Sequence, residues 1–541
     1  MEQSRNREAD VVVVGSGAAG LTAAIVAHDR GARVIVVEAA DKIGGTSALS
    51  GGGVWIPLNH HMAEVGEEDS RDEALEYCTR LTAGRAPREL VEKFVDTGHK
   101  VIRYLEEKTP LKFRASSMPD YHAEMPGGKA GRTLDPGFFP LPQLGDWASK
   151  IPPSPMMVVP LTIDEAMLGM ARPASFPLQA IEERMSQGLV GSGNALIAGL
   201  LKACLDRGIE FMLETRAVRL LQQNGRVVGV EAVRREEERI VLQARKGTIL
   251  ACGGFEWNQE LWHRFIPGPV HLHCSTPFNR GDGLLMTLEI GADLGNMPEA
   301  WLYPGASVPG EEYEGRPVSR WVIGERSLPH SIMVNRHGLR FVNEAVNYND
   351  MSKALYAFDP TEYTFRNIPC WVIMDSQFRA KYPILTVMPT DPDPEWLPKA
   401  ETLGDLAAKL GIDCERLQDT VDRWNEFAKA GVDREFQRGN APYERWLGDP
   451  SHYHPNIGTI ERPPFYALPI HVASAGTKGG PRTNVHGQVL NVRGQPIEGL
   501  YAAGNVMASV AGPGYYGGGG TIGLAVTWGY LSAMHATGGQ A

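Results

Sequence analysis

Val11-Val12-Val13-Val14-Gly15-Ser16-Gly17-Ala18-Ala19-Gly20 is the stretch on which the reading of this chain turns. The valine run predicts a buried strand, and the G-x-G-x-x-G turn behind it opens a helix. Gly15 serves the tight turn, Gly17 lets the backbone approach a pyrophosphate, and Gly20 lets helix and strand pack closely. Free N–H groups at the helix start, around Ala18 and Ala19, face the phosphates with help from the helix dipole. A second strand, Arg33-Val34-Ile35-Val36-Val37, delivers Glu38 and Ala39 about 20 residues on, where a carboxylate binds a ribose hydroxyl. Strand, turn, helix, strand and acid in this order predict a dinucleotide-binding βαβ unit.

A glycine-rich loop follows: Asp41-Lys42-Ile43-Gly44-Gly45-Thr46-Ser47, then Ser50-Gly51-Gly52-Gly53. Small residues directly after the ribose acid suit a second backbone approach. The loop resembles the GG-T/S-xxS-GG element of the flavoprotein family that contains fumarate reductases and 3-ketosteroid dehydrogenases. In that family the element lies along the ribityl chain and isoalloxazine ring of FAD. The resemblance implies FAD as cofactor, held here by Lys42, Gly44, Gly45, Thr46, Ser47, Ser50, Gly51, Gly52 and Gly53.

At 541 residues the chain is long for one domain, and 43% hydrophobic residues suffice for a large core. A net charge of −11 without a long Lys/Arg run makes nucleic acid and anionic membranes poor partners. No apolar stretch reaches the ~20 residues of a membrane span. Six cysteines without CxxC pairs and fifteen histidines without HExxH spacing argue against disulfide, zinc and iron–sulfur frameworks. Met1-Glu2-Gln3-Ser4-Arg5-Asn6 enters the first strand directly, leaving no room for a signal peptide. The expectation is a soluble cytoplasmic protein.

Gly193 to Phe211 reads as a helix from the spacing of Leu196, Leu200, Leu201, Cys204 and Leu205. Strand-like runs follow at Phe211–Leu213, Val227–Val230 and Gly247–Ala251, the last leading into Cys252-Gly253-Gly254-Phe255. Arg280-Gly281-Asp282-Gly283-Leu284 opens another helix. Near the C-terminus, Gly499–Asn505 is a short strand into a glycine turn, and Gly519–Ala525 starts a helix to about His535. Both ends therefore belong to one α/β domain, Rossmann-type and glutathione-reductase-like, expected at 1–299 and 466–541 with helical decoration at about 60–190. Residues 300–465, richer in Pro, Trp and Tyr, form an inserted α+β substrate or catalytic domain, with a strand at Ser331–Val334 and a helical pair in Thr402–Phe427. The family's A-T/C-G-G and GDG segments have counterparts here. The resemblance thus also assigns Ala217, Val218, Ala251, Gly253, Gly254, Asp282, Gly504, Asn505, Gly520, Thr521 and Ile522 to FAD.

Flavin dehydrogenation takes a proton from the carbon next to an electron-withdrawing group and a hydride from the following carbon. With a ketone, donors aimed at its oxygen stabilise the enolate. Gly512-Pro513-Gly514-Tyr515-Tyr516-Gly517-Gly518-Gly519-Gly520-Thr521-Ile522-Gly523 resembles the Y-P-G-x-G-A-T-I-G element of 3-ketosteroid Δ1-dehydrogenases. Aligned on Thr521-Ile522-Gly523, the family's carbonyl-holding tyrosine and glycine fall on Tyr515 and Gly519. Tyr516 replaces the usual proline, so either tyrosine could supply the hydroxyl. Glu325-Arg326-Ser327-Leu328-Pro329, with Gly338-Leu339-Arg340-Phe341-Val342-Asn343-Glu344, resembles segments that precede the family's proton-abstracting tyrosine, which falls on Tyr348. Asp120-Tyr121-His122-Ala123-Glu124-Met125-Pro126-Gly127-Gly128 resembles D-Y-x-x-E-x-P-G-G and puts the assisting tyrosine at Tyr121. A hydroxyl donated by Tyr121 is expected to lower the pKa of Tyr348 from about 10.

The resulting expectation is an FAD-dependent dehydrogenase that desaturates the bond next to a ketone, foremost a 3-ketosteroid at Δ1, with an unidentified, quinone-like electron acceptor. Alternatives are a smaller alicyclic ketone, the Δ4 bond of a 5α-steroid, and a fumarate-reductase-like reductase of enones or dicarboxylates. Arg340 and Arg482 are the proton-donor candidates of the last, although Ala473–Gly480 lacks that scheme's carboxylate-binding histidine. A flavoprotein relaying electrons without its own substrate is a further alternative. His60 and His61 follow the glycine loop within reach of substrate or flavin, but adjacent side chains on a loop usually diverge.

Overall fold

Val11 to Val14 end a strand, Arg5–Val14, and all four side chains are buried. The computed structural model describes residues 5–539, so Met1–Ser4, part of the expected direct entry into this strand, lie outside the described residues. Val11–Val14 pair in parallel with Val34–Val37 on one side and Gly247–Leu250 on the other. Glu210–Met212 and Pro496–Ala502 extend the parallel sheet at its two flanks. The first half of Glu238–Leu250 turns to antiparallel pairing with Arg226–Arg234, which in turn pairs with Thr215–Gln223. Gln488–Leu490 completes the eight strands.

Helix Ala18–Asp29 is buried from Ala18 to Ala27. It lies between the sheet and the C-terminal helix Gly520–Ala536. A Cβ on Gly529 would stand 2.4 Å from the Ala19 carbonyl oxygen, so these helices meet backbone to backbone. Helix Ser192–Asp206 packs on the same element, its Cys204 Sγ reaching the Leu21 carbonyl at 3.9 Å.

A second, seven-stranded sheet is built around Phe465–Thr477. The first half of that strand pairs with Cys370–Met374 and the second with Ala300–Ala306. It begins at Phe465 and has partners along its whole length. Leu272–His273 also joins this sheet, from before residue 300. Helices Leu403–Leu410 and Cys414–Ala430 form a pair over a cluster that includes Ile332, Val334 and Ala467. Between 60 and 190, helices Arg71–Leu81 and Arg88–Lys108 pack on each other, and the Tyr77 hydroxyl of the first accepts the His122 N–H at 3.2 Å in the loop that carries Tyr121. Among the described residues, no helix is long and apolar enough to cross a membrane.

Gly20 seats the first helix on its strand, since a Cβ there would lie 2.0 Å from the Gly15 carbonyl oxygen. Gly20→Ala is expected to cost more than about 2 kcal/mol in urea unfolding, or to prevent soluble expression. Gly404, in a half-exposed helical position with open space around its Cβ direction, should accept alanine with a gain of up to about 1 kcal/mol. Similar small effects at both positions would show that close helix–strand contact is not what requires Gly20.

Candidate active site

The parallel strands end at Val14, Val37, Leu250 and Ala502. Just beyond them, Gly15, Glu38, Ala251 and Gly504 line one cleft. Open parallel sheets bind ligands at this carboxyl edge. Gly17, Ala18, Ala19, Ala39, Gly45, Thr46, Ser47, Ala217, Gly253, Asp282, Asn505, Thr521 and Ile522 share the lining. The remaining residues singled out from the sequence stand elsewhere. Gly20 lies behind Gly15, and Gly44 gives its N–H to Ser16 Oγ at 3.0 Å. Lys42 Nζ donates to the Ser149 carbonyl at 2.8 Å. Ser50, Gly51, Gly52 and Gly53 run on from the cleft, Gly52 against Ser192 and Gly53 against Gly518. Gly254 backs onto Thr477, Gly520 faces the Tyr515 ring, and Val218 is exposed.

Glu38 accepts the N–H groups of Ser16 and Ala40, both at 2.9 Å, and the Ser16 hydroxyl at 2.6 Å. Burial still lifts its carboxyl above the usual range, so further donors in the cleft would stabilise its charge. Arg216, paired with Asp282 at 2.6 Å, and Asn279, bound to Thr46 Oγ1 at 3.1 Å, also line the cleft. No spacing in the sequence marks either residue.

Tyr121, Tyr348 and Tyr515 come together from three distant segments. Their ring centroids are 5.4 Å (121–348), 5.2 Å (121–515) and 5.7 Å (348–515) apart, all edge to face. Trp321 packs on Tyr348, Trp301 on Tyr515 and Tyr443 on Tyr121 at 4.6, 4.6 and 4.8 Å. Thr521, on the cleft, donates its hydroxyl to the Tyr515 oxygen at 3.1 Å. Tyr516 points the other way, between Trp55 and Phe94, with its hydroxyl on the Val510 carbonyl. Of the two adjacent tyrosines, only Tyr515 joins the cluster. Gly519 caps the helix that bears Thr521 and has a left-handed φ of +91°, where a Cβ would strike Gly53 at 2.2 Å.

The tyrosines do not titrate as the sequence suggests. Burial pushes Tyr348 well above 10, and the neighbouring phenols of Tyr121 and Tyr515 push the same way. Desolvation also raises Tyr121, opposed in part by the nearby Arg326 guanidinium. Arg326 is fully buried, donates to the carbonyls of Val322, Glu344 and Val346, and has an unpaired Nη2. Its side chain places a positive charge near Tyr121.

Neighbouring residues hold each tyrosine. Tyr121 N–H and the Tyr77 hydroxyl both donate to the Tyr516 carbonyl, at 3.2 and 2.6 Å. His122 Nε2 meets Asp350 at 2.7 Å and its Nδ1 meets Glu124 at 2.9 Å, tying the Tyr121 loop to the helix that starts at Tyr348. Lys478 Nζ, buried over the Trp301 ring, donates to the Pro513 and Gly514 carbonyls at 2.9 Å each, just before Tyr515. Arg340 is locked in a buried ion pair with Glu344 and Asp433, and Arg482 pairs with Asp293 at the surface; neither faces the tyrosines.

Residues 10–522 match the FAD binding domain family. This chain belongs to that family. The flavoprotein is 40% identical to the 4-oxocyclohexanecarboxylate 2-dehydrogenase of Sinomonas cyclohexanicum, over 98% of its own length and 93% of the relative's. It is 37% identical to the 3-oxosteroid 1-dehydrogenase of Mycolicibacterium smegmatis, covering 98% and 97%. The 3-ketosteroid delta1-dehydrogenase of Sterolibacterium denitrificans, crystallised with 1,4-androstadiene-3,17-dione, superposes with a TM-score of 0.92 at 35% identity, covering 98% and 99%. FAD is the cofactor, and the cleft fits it. Its lining joins the ends of four parallel strands, the buried Glu38 would take further hydroxyl donors, and the Cβ direction of Gly45 is open to 3.9 Å.

The His122–Asp350 pair carries a sign that can be measured. Burial alone would lower the His122 pKa, but Asp350 and Glu124 outweigh it and raise it to about 9. A raised histidine stabilises the fold fully below its unfolded pKa of about 6.5, and that contribution fades as pH rises through about 9. His122→Gln should therefore be less stable than the parent by about 2–3 kcal/mol at pH 6, with the gap closing above pH 9. A gap independent of pH in chemical unfolding would remove the ion pair from the account.

Proposed function

We propose that the flavoprotein is a dehydrogenase that introduces a C=C bond next to the ketone of a cyclic substrate, foremost a 3-ketosteroid at Δ1. One observation carries this reading: Tyr121, Tyr348 and Tyr515 meet at 5.2–5.7 Å beside the helix start whose Thr521 and Ile522 line the FAD cleft. The steroid dehydrogenases at 37% identity and at a TM-score of 0.92 support the substrate class.

When bound, FAD supplies the acceptor for the hydride of the β-carbon. Gly15, Gly17 and Glu38 would hold its nucleotide half, and Gly45–Ser47, Gly504, Asn505 and Thr521 the remainder. Tyr348 takes the α-proton. Tyr515, through its hydroxyl, and Gly519, through its N–H, hold the ketone oxygen as charge grows there. Because burial keeps Tyr348 neutral at rest, its phenolate depends on what faces it. The hydroxyls of Tyr121 and Tyr515 can turn to donate, and Arg326 adds a positive charge behind Tyr121. A quinone-like oxidant completes the turnover, and six free cysteines suit the reducing cytoplasm.

A smaller alicyclic ketone is the second reading. The 40% identical relative, named for 4-oxocyclohexanecarboxylate, supports it, as do Trp301, Trp321 and Tyr443 pressing within 4.6–4.8 Å of the three tyrosines.

Anaerobic titration with 4-androstenedione, a 5α-saturated 3-ketosteroid, 4-oxocyclohexanecarboxylate and cyclohexanone should bleach the flavin band near 450 nm for at least one ketone, foremost a steroid. Product mass and NMR should place the new bond at Δ1. Tyr348→Phe should slow reduction by about 100-fold or more, and Tyr515→Phe by about 10–100-fold. Tyr516→Phe should stay within about threefold, since its hydroxyl faces Val510. Bleaching by the monocyclic ketones alone would replace the steroid with the smaller substrate. No bleaching by any ketone would overturn the desaturase reading.

A further inference from the structure

His60 and His61 converge rather than diverge. Their rings lie 4.1 Å apart, and both Nε2 atoms face Glu106, near the end of helix Arg88–Lys108. His60 Nε2 is 2.9 Å from one carboxylate oxygen and His61 Nε2 is 2.9 Å from the other. The three donor groups lie within 4.8 Å of one another. Each histidine Nε2 stands 2.9 Å from its own Glu106 oxygen, near the ~3.3 Å that separates ligands around a tetrahedral zinc ion, and the 4.8 Å that bounds the whole set leaves an ion room to draw the two rings in.

The surroundings of the three donors match as well. His61 Nδ1–H donates to Glu64 at 2.6 Å, the carboxylate partner that metal-bound histidines use to fix ring orientation and raise basicity. The other Glu64 oxygen accepts the Ala115 N–H at 3.0 Å, and Glu106 accepts the Phe113 N–H at 3.1 Å, so both carboxylates are anchored. His60 lies at the surface, which leaves coordination positions open to water. None of these residues lines the FAD cleft.

We propose that His60, His61 and Glu106 bind one divalent transition-metal ion of the zinc class, with water completing its shell. Imidazole donors select Zn²⁺, Ni²⁺ or Co²⁺ over Mg²⁺ and Ca²⁺, which prefer all-oxygen sites. The ion staples the segment after Val54–Trp55 to helix Arg88–Lys108. That segment continues the strand whose Trp55 N–H binds the Gly519 carbonyl at 3.1 Å.

The test is calorimetric titration of chelator-treated, FAD-loaded protein with Zn²⁺, alongside thermal unfolding. One site per chain is expected, with a rise in Tm and no response to Mg²⁺. His60→Ala, His61→Ala and Glu106→Gln should each weaken binding about tenfold or more, while His99→Ala on the same helix leaves it unchanged. His60 is at the surface, so its variant separates loss of the site from loss of the fold. Absence of a stoichiometric site, or a site that survives all three substitutions, would overturn the proposal.

Discussion

The contact on which the site depends is backbone against backbone, where Gly519 meets Gly53. A side chain on Gly519 would fall 2.2 Å from the Gly53 carbonyl, so the glycine-rich loop after Glu38 and the helix Gly520–Ala536 touch without intervening atoms. Trp55, two residues on, gives its N–H to Gly519 and its indole N–H to Asp120 at 2.6 Å. Asp120 is held in turn by Arg132, and the next residue is Tyr121. On the other strand of the contact, the Tyr516 carbonyl receives Tyr121 and Tyr77. The turn of Tyr515 to Gly519 and the Tyr121 loop are thus placed by one junction, so their separation is set by main-chain geometry.

Charge at the site is governed by burial. Arg132 has no exposure and is matched by Asp69 and Asp120, and Arg340 by Glu344 and Asp433; unpaired, such ions would be strongly destabilising. Lys478 is different. It has carbonyls and an aromatic face rather than a direct carboxylate partner, and burial lowers it to about 7. The three phenols share this apolar setting. Their neutral resting state follows from desolvation, and the cation nearest Tyr121, Arg326, has an N–H still to give.

Much of this was legible in the residues. The βαβ unit, a strand over Gly247–Ala251, one starting at Gly499 and the C-terminal helix follow from apolar period and glycine punctuation, which local sequence encodes; that the two strands begin earlier, at Glu238 and Pro496, does not. The three tyrosines were found because each lies inside a motif. What tertiary packing alone decides was hidden: that Tyr515 and Tyr516 face opposite ways, that Arg216 and Asn279 reach the cleft, and that two adjacent histidines share one carboxylate. The direction of the Tyr348 shift was misjudged for the same reason. A motif shows a hydroxyl neighbour but not the depth at which both are buried.

The place of Gly529 on Ala19 has a consequence for how the molecule folds. Helix Ala18–Asp29 has an apolar surface from Ala18 to Ala27, yet one of its covers is Gly520–Ala536, which lies far from it in sequence. The strand Pro496–Ala502 likewise joins a sheet whose other parallel strands lie hundreds of residues before it. Closure of the nucleotide half is therefore a long-range event, slow to form and leaving apolar surface exposed until it is complete. The βαβ unit and the helix Gly520–Ala536 thus fold as parts of one unit.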